Sequence, residues 1–365
     1  MNNEPKNLTS RNAQKKPIQP VLIASEHTVY EYSTFLGHLL VGLADESVPV
    51  ALVCPTDSDV DSLVSGAVEI IRHPSHKLPL IKWLNRNILI EQLEKFKPTV
   101  LHCLCESNAT LTRQIAHQLD LPYVLMVNSL QKRWGEFPVS LSHCAKIIVP
   151  ANSIAANIAK VHPRFAERTE QINIGTFVEQ KCNCFSKPSR LPSMVIAHPL
   201  DNANDFENLF NAARHLVIDG YEFIMVIISG GKAEGQLRKL LAALGLTQVI
   251  TIVPRLKPWR SVLAAGDIFI QPQPINSFNP LLLEAMSVGS AVAGCKGGVD
   301  DLIIENKTAI IFDPADELSI YSCLQQLLNR HEFARQIAKN AQQYLRENHS
   351  PSKMIAATLQ TYYNA

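Results

Sequence analysis

Residues 271–298, QPQPINSFNPLLLEAMSVGSAVAGCKGG, concentrate the residue types that can hold a charged ligand. The apolar run DIFIQP leads into them, and a loop of Pro, Asn and Ser follows. Asn279 stands where a helix cap belongs, with Pro280 at the first helical position, where a missing N–H costs nothing. Such a helix aims its N-terminus into the loop, and its exposed N–H groups and positive dipole end favour an anion such as a diphosphate. Glu284 lies inside this helix among Leu281, Leu282, Leu283, Ala285 and Met286. A carboxylate on so apolar a helix needs a partner, since burying it unpaired costs on the order of several kcal/mol. Two partners fit: a ligand diol such as that of a ribose, or a structural salt bridge or helix end. Gly297 and Gly298 have no side chains and permit close backbone approach to a ligand. Lys296 beside them offers a cation, as do Lys232, Arg255 and Lys257 near other strand ends. His102 and His198 stand at strand ends without a neighbouring partner to tune them, and read as satisfied or exposed histidines.

The elements that must position these residues form two series. A chain of 365 residues with 46% hydrophobic content exceeds what one core usually organises, so two domains are expected. Runs apolar on both faces, PVLIAS (20–25), VPVALVC (48–54), TVLHCLC (99–105), PYVLMV (122–127) and AKIIVPA (145–151), alternate with amphipathic stretches at Ser33–Leu43, Ile88–Phe96 and Ala109–Leu119. That alternation reads as parallel strands covered by helices, an α/β doubly wound domain. After the polar stretch 179–192 the pattern repeats, with SMVIAH (193–198), EFIMVIIS (222–229), QVITIV (248–253), DIFIQP (267–272) and AVAGC (291–295). The expected organisation is a disordered leader 1–19, a first domain 20–178, a linker 179–192, a second domain 193–345, and a terminal helix within 346–365 returning toward the first domain. Asp316–Asn348 reads as one continuous helix. Two such domains leave a cleft at the carboxyl ends of both sheets, where open sheets bind ligands.

Charge excludes other classes. With 34 Lys+Arg against 33 Asp+Glu, the formal charge is +1, too neutral for a dedicated nucleic-acid binder. No apolar run approaches the roughly 18–20 residues of a membrane span. The polar start has no apolar core of a signal peptide, and the expected location is cytoplasmic. The close cysteine pairs, Cys103/Cys105 and Cys182/Cys184, have C-x-C spacing rather than the C-x-x-C of zinc or redox motifs, and read as reduced thiols.

Asn276-Ser277-Phe278-Asn279 through Leu283-Glu284-Ala285-Met286, then Gly289, Ala291-Val292-Ala293, Gly297-Gly298 and Asp301, resemble the donor-binding segment of glycosyltransferase family 4. The similarity extends over Glu305–Ala309 and Ile311–Pro314 to the terminal helices. Weaker landmarks lie at Lys97–His102, Leu121–Val124 and Ile172–Gly175. The resemblance implies a GT-B fold, two Rossmann-like domains facing across a cleft. It implies a retaining transferase that moves a hexose-type sugar from a nucleotide-diphosphate sugar, with no cofactor or metal required. The acceptor, a glycan, lipid or small molecule, would sit in the first domain, compatible with peripheral membrane contact. Carried over by position, Glu284 would hold the ribose, and the backbone amides of Ser277, Phe278 and Asn279 would approach the sugar or phosphates. The chain departs from the family pattern where Asn276 replaces the first glutamate of a Glu-x7-Glu motif, and where Pro199 and Asn204 stand in place of two diphosphate cations. The loop Ser25–Glu31 lacks the usual glycine, and Asn128 replaces a usual histidine. Asn276, Glu284 and Lys296 are therefore the catalytic candidates, with Lys296 restoring charge at the leaving phosphates. The competing class is a catalytically degenerate GT-B protein acting as a binding or scaffold subunit.

Overall fold

The computed structural model describes residues 17–63, 68–74, 79–132, 139–140, 142–187, 189–228, 230–254 and 259–365. The leader up to residue 16, Arg255 and Lys257 lie outside them. The first sheet holds seven parallel strands: β1 (Pro20–Ile23), β2 (Val50–Pro55), β3 (Val68–His73), β4 (Val100–Cys103), β5 (Tyr123–Met126), β6 (Cys144–Val149) and β7 (Thr169–Gln171), in the order β3-β2-β1-β4-β5-β6-β7. Its helices are α1 (Glu26–Glu31), α2 (Ser33–Asp45), α3 (Pro79–Phe96), α4 (Ala109–Leu119) and α5 (Asn152–Val161). All four residues of β1, β4 and β5 are buried, which is why these strands read as continuous apolar runs.

The second sheet is parallel and six-stranded, in the order β10-β9-β8-β11-β12-β13. Its elements in chain order are β8 (Ser193–Ile196), α6 (Glu207–Ile218), β9 (Ile224–Ile228), α7 (Glu234–Ala243), β10 (Ile250–Val253), α8 (Trp259–Leu263), β11 (Ile268–Ile270), α9 (Pro280–Ser287), β12 (Ala291–Gly294), β13 (Ile310–Ile311), α10 (Glu317–Asn329), α11 (His331–Asn348) and α12 (Pro351–Tyr363). In both sheets the strand order reverses beside the first strand, at β1/β4 and at β8/β11, and a doubly wound sheet opens its crevice at that point. α12 leaves the second sheet and packs on α2. The approach is close: a Cβ on Gly175 would lie 2.5 Å from the Cα of Pro351 at the head of α12, and one on Gly42 would lie 2.5 Å from the Ile355 side chain.

Four details differ from the sequence reading. The glycine-free segment after β1 is a helix: the Ser25 hydroxyl accepts from the Thr28 amide at 3.1 Å while the Ser25 amide donates to the Thr28 hydroxyl at 3.3 Å, a capping box that starts α1. α3 begins at Pro79, before the expected Ile88, because a proline is tolerated in a first helical turn. The helix expected over Asp316–Asn348 is two, separated at Arg330, whose backbone leaves the helical region without glycine or proline to announce it. The polar stretch 179–192 is anchored rather than free. Cys184 and Phe185 are buried, Arg335 donates to both their carbonyls, and the buried Asp267 carboxylate accepts from the Phe185 and Ser193 amides and from Arg190.

Candidate active site

α9 presents its N-terminus to the cleft, and its local chemistry is closed on itself. The Asn279 side-chain oxygen accepts from the amides of Leu281 and Leu282, both at 3.1 Å, and the Leu283 amide donates to the Asn279 carbonyl. Pro280 has no N–H. The Leu281 and Leu282 amides at this helix end are therefore already paired: the cap that makes the helix legible in sequence also consumes these two donors. The Asn279 amide nitrogen in turn donates to Gln271 at 3.1 Å, tying the cap to the end of β11.

The preceding turn is held by the first domain. Ser277 forms an antiparallel bridge with Ser129. The Phe278 amide donates to the Asn128 carbonyl at 2.8 Å, the Leu130 amide donates to the Asn276 carbonyl at 2.7 Å, and the Tyr32 hydroxyl donates to the Phe278 carbonyl at 2.8 Å. Glu106 sets this edge, since one carboxylate oxygen accepts from the amides of Asn128 and Ser129 at 2.7 and 2.8 Å and from the Ser129 hydroxyl. Nearby, Asp301 accepts from the amide and hydroxyl of Ser153 in the first turn of α5. The Phe278 amide, expected to approach a ligand, is thus spent on the opposite domain. The Asn276 side chain is exposed and makes no hydrogen bond among the described residues.

Glu284 is 3% exposed and has its partners inside the chain. Arg260 donates to one oxygen at 3.0 Å and the Thr176 hydroxyl to the other at 2.7 Å. Burial pushes the Glu284 carboxyl above its ordinary range, while Thr176 and Arg260 pull it back. The salt bridge, one of the two partners left open by sequence, is present. Arg260 also reaches the Glu179 carboxylate at 3.2 Å and the Phe177 carbonyl, so one guanidinium joins α8, α9 and the crossing segment 176–179. Sequence reasoning missed Arg260. The signal was there: a buried carboxylate in α9 requires a cation, and Arg260 opens the helix that packs on α9.

Gly298 has φ +141°, and a Cβ there would lie 2.4 Å from the Ile275 carbonyl oxygen. Its close approach is therefore to the loop before Asn276, with the Val299 amide donating to that same carbonyl. Gly297, at φ +105°, is exposed beside Lys296, which is also exposed and unpaired among the described residues. Lys232, Pro199 and Asn204 are exposed as well. His102 is buried with Nδ1 2.6 Å from the Tyr362 hydroxyl, and burial lowers its pKa to about 3. His198 is buried against Phe206 and likewise lowered by desolvation. Neither is placed as an acid–base group. Among the described residues no group of three or more His, Cys, Asp or Glu could hold a metal ion, and no helix is long and apolar enough to cross a membrane.

Residues 185–344 match the family described as glycosyl transferases group 1. The chain is 30% identical over 123 residues to the sulfoquinovosyl transferase SQD2 of Arabidopsis thaliana, covering 33% of this chain and 24% of that protein. It is 28% identical over 138 residues to the alpha-D-kanosaminyltransferase of Streptomyces kanamyceticus, covering 37% and 36%. The matched regions thus span about a quarter and about a third of these relatives. A glycosyltransferase from Rickettsia africae superposes with a TM-score of 0.76 at 13% identity, over 95% of this chain and 98% of the other. Anabaena HepE, solved with UDP and glucose, superposes at 0.77 and 12% identity, over 94% and 99%. The fold of the whole chain is therefore GT-B, and its second domain, over residues 185–344, carries the glycosyl transferases group 1 sequence pattern.

Proposed function

We propose that the chain is a glycosyltransferase that moves a hexose-type sugar from a nucleotide-sugar donor to a glycan, lipid or small-molecule acceptor, with retention and without a required metal. The observation that carries this reading is the match over 185–344, which contains both α9 and the 276–279 turn on the cleft side of the second sheet. The transferase names of the two relatives and the UDP and glucose of HepE support a nucleotide-sugar donor. In this reading Glu284 accepts from the ribose hydroxyls, and Asn276 and Ser277 hydrogen-bond the transferred sugar as neutral groups. The amides of Phe278 and Asn279 line the sugar, that of Phe278 once it parts from Asn128. Lys296, on the turn opened by Gly297 and Gly298, meets the leaving phosphates, where a preorganised cation stabilises developing charge. A cytoplasmic location, with peripheral membrane contact if the acceptor is a lipid, belongs to the same proposal.

The test is a thermal shift of the full chain against UDP, GDP, ADP and their sugars, followed by assay of released nucleoside diphosphate. Ligand at about 100 times its dissociation constant adds ~2.7 kcal/mol of stability. The expected result is protection by one nucleotide class, turnover of its sugar, and loss of turnover in Lys296→Ala. A second reading is a degenerate binding or scaffold subunit, in which the Phe278–Asn128 pairing stays closed. It is the conclusion if no nucleotide sugar is hydrolysed or transferred.

A further inference from the structure

The transfer reading requires an acceptor pocket, and the first domain contains a hollow whose lining has a definite chemistry. A cavity of about 810 Å³ lies at the carboxyl ends of β1, β2 and β3, bounded by Ser25, Val53, His73 and Asn108 and by Arg86 of α3. A second hollow of about 390 Å³ lies beside it between α3 and α4, sharing Arg86 and Gln114 with the first and adding Arg113 and His117. Arg86 donates one terminal nitrogen to Gln114 at 2.9 Å, while its Nε is shut off from solvent without a partner. Among the described residues neither Arg86 nor Arg113 has a carboxylate within ion-pair distance. Among the described residues Glu26 is the one carboxylate in the larger lining, and the smaller has none. His73 is held toward its neutral form by burial and lines the cavity as a neutral hydrogen-bonding group.

A guanidinium with no carboxylate at ion-pair distance among the described residues keeps terminal N–H groups for an oxyanion, which its planar fork fits. The second arginine, facing the same hollow from α4, makes a two-cation seat. We propose that this double hollow binds the acceptor, and that the acceptor carries an oxyanion, phosphate or carboxylate, seated between Arg86 and Arg113 with its hydroxyl-bearing remainder in the larger cavity. The word acceptor rests on the transfer reading; the oxyanion site does not. Two residues of the larger cavity, Ser107 and Asn108, directly follow Glu106, which holds the 128–129 edge against the 276–278 turn.

The experiment titrates the full chain calorimetrically with inorganic phosphate, glucuronate, glucose and UDP, in wild type, Arg86→Gln and Arg113→Gln. The expected result is that phosphate or glucuronate binds, glucose does not, and each substitution weakens the bound anion about 10- to 100-fold while UDP affinity is unchanged. Phosphate alone names a phosphate ester, and glucuronate alone an acidic sugar. Absence of binding by both anions, or an affinity unchanged by both substitutions, overturns the proposal. Anion binding that depends on Arg86 in a protein that ignores UDP, GDP and ADP keeps the oxyanion site and removes the transfer reading. If Arg86→Gln does not fold, Arg113→Gln, on the outer hollow, decides the outcome.

Discussion

Glu284 shows how one side chain can belong to a ligand site and to a structural lock. Its carboxylate is buried and its cation, Arg260, keeps 27% of its side-chain surface. Breaking a fully buried pair costs ~3–5 kcal/mol, and the partial exposure of Arg260 reduces this to about 2 kcal/mol for Glu284→Ala. Urea denaturation is expected to show that loss, with Glu284→Gln costing less because its amide oxygen can still accept from Arg260 while its NH2 donates to the Thr176 hydroxyl. The same carboxyl has a pH signature. Its pKa is raised in the folded chain, so the folded state holds that proton more tightly than the unfolded one. The term stabilises below the ordinary carboxyl pKa and is lost as pH rises through the raised value. Arg260→Gln removes a group that lowers this pKa, so the loss is expected to extend to higher pH. His102 acts in the opposite sense. With a folded pKa of about 3 against an ordinary 6.5, its contribution is complete above pH 6.5 and is lost as pH falls toward 3. The slope is at most ~1.4 kcal/mol per pH unit for one group. His102→Asn is expected to flatten stability against pH in that window, measured by denaturant midpoints.

At the scale of elements, α9 and α12 carry the constraints. Asn279 supplies the cap of α9 and pins it to Gln271, so Asn279→Ala is expected to cost ~1–2 kcal/mol of stability. α12 is seated by absent side chains. At Gly175 a methyl would meet the backbone of Pro351 at 2.5 Å, whereas at Gly42 it would meet the end of the flexible Ile355 side chain. Gly175→Ala is therefore expected to destabilise more than Gly42→Ala, and to increase proteolysis after residue 349. A result with the order reversed means that the 349–351 turn shifts more readily than Ile355 changes rotamer.

Over the whole molecule, besides the Asp301–Ser153 pair and the packing of α12 on α2, bonds among the described residues join the two sheets in two places. The crossing segment is one: Asn173, Ile174 and Thr176 bond to Asn348 and His349, and Arg260 gathers Glu179 and Glu284. The cleft edge is the other, through Tyr32, Asn128, Leu130 and the 276–278 turn. Parting the domains breaks the second set and leaves the first intact. Tyr32→Phe deletes one bond of that edge, worth ~0.5–1.5 kcal/mol, and is expected to widen the distance between labels on the two domains. Faster nucleotide association is expected to accompany it, measured by stopped flow.

The local chemistry was legible without coordinates. Runs such as PVLIAS and SMVIAH are apolar at every position because parallel strands are covered on both faces, and that pattern survives in one dimension. Asn279-Pro280 announced its helix because a cap and its proline are neighbours in the chain. The break at Arg330 was not legible, since no residue there is a strong punctuator. Nor was the partner of Glu284: the need for a hydrogen-bonding partner followed from its apolar helix, but whether Arg260 or a ribose supplies it depends on groups 24 residues and an entire ligand apart. Only the tertiary structure brings Asn128 to Phe278 and Arg86 beside Arg113, because those approaches are set by how layers of helices stack on two sheets, and no local periodicity encodes them.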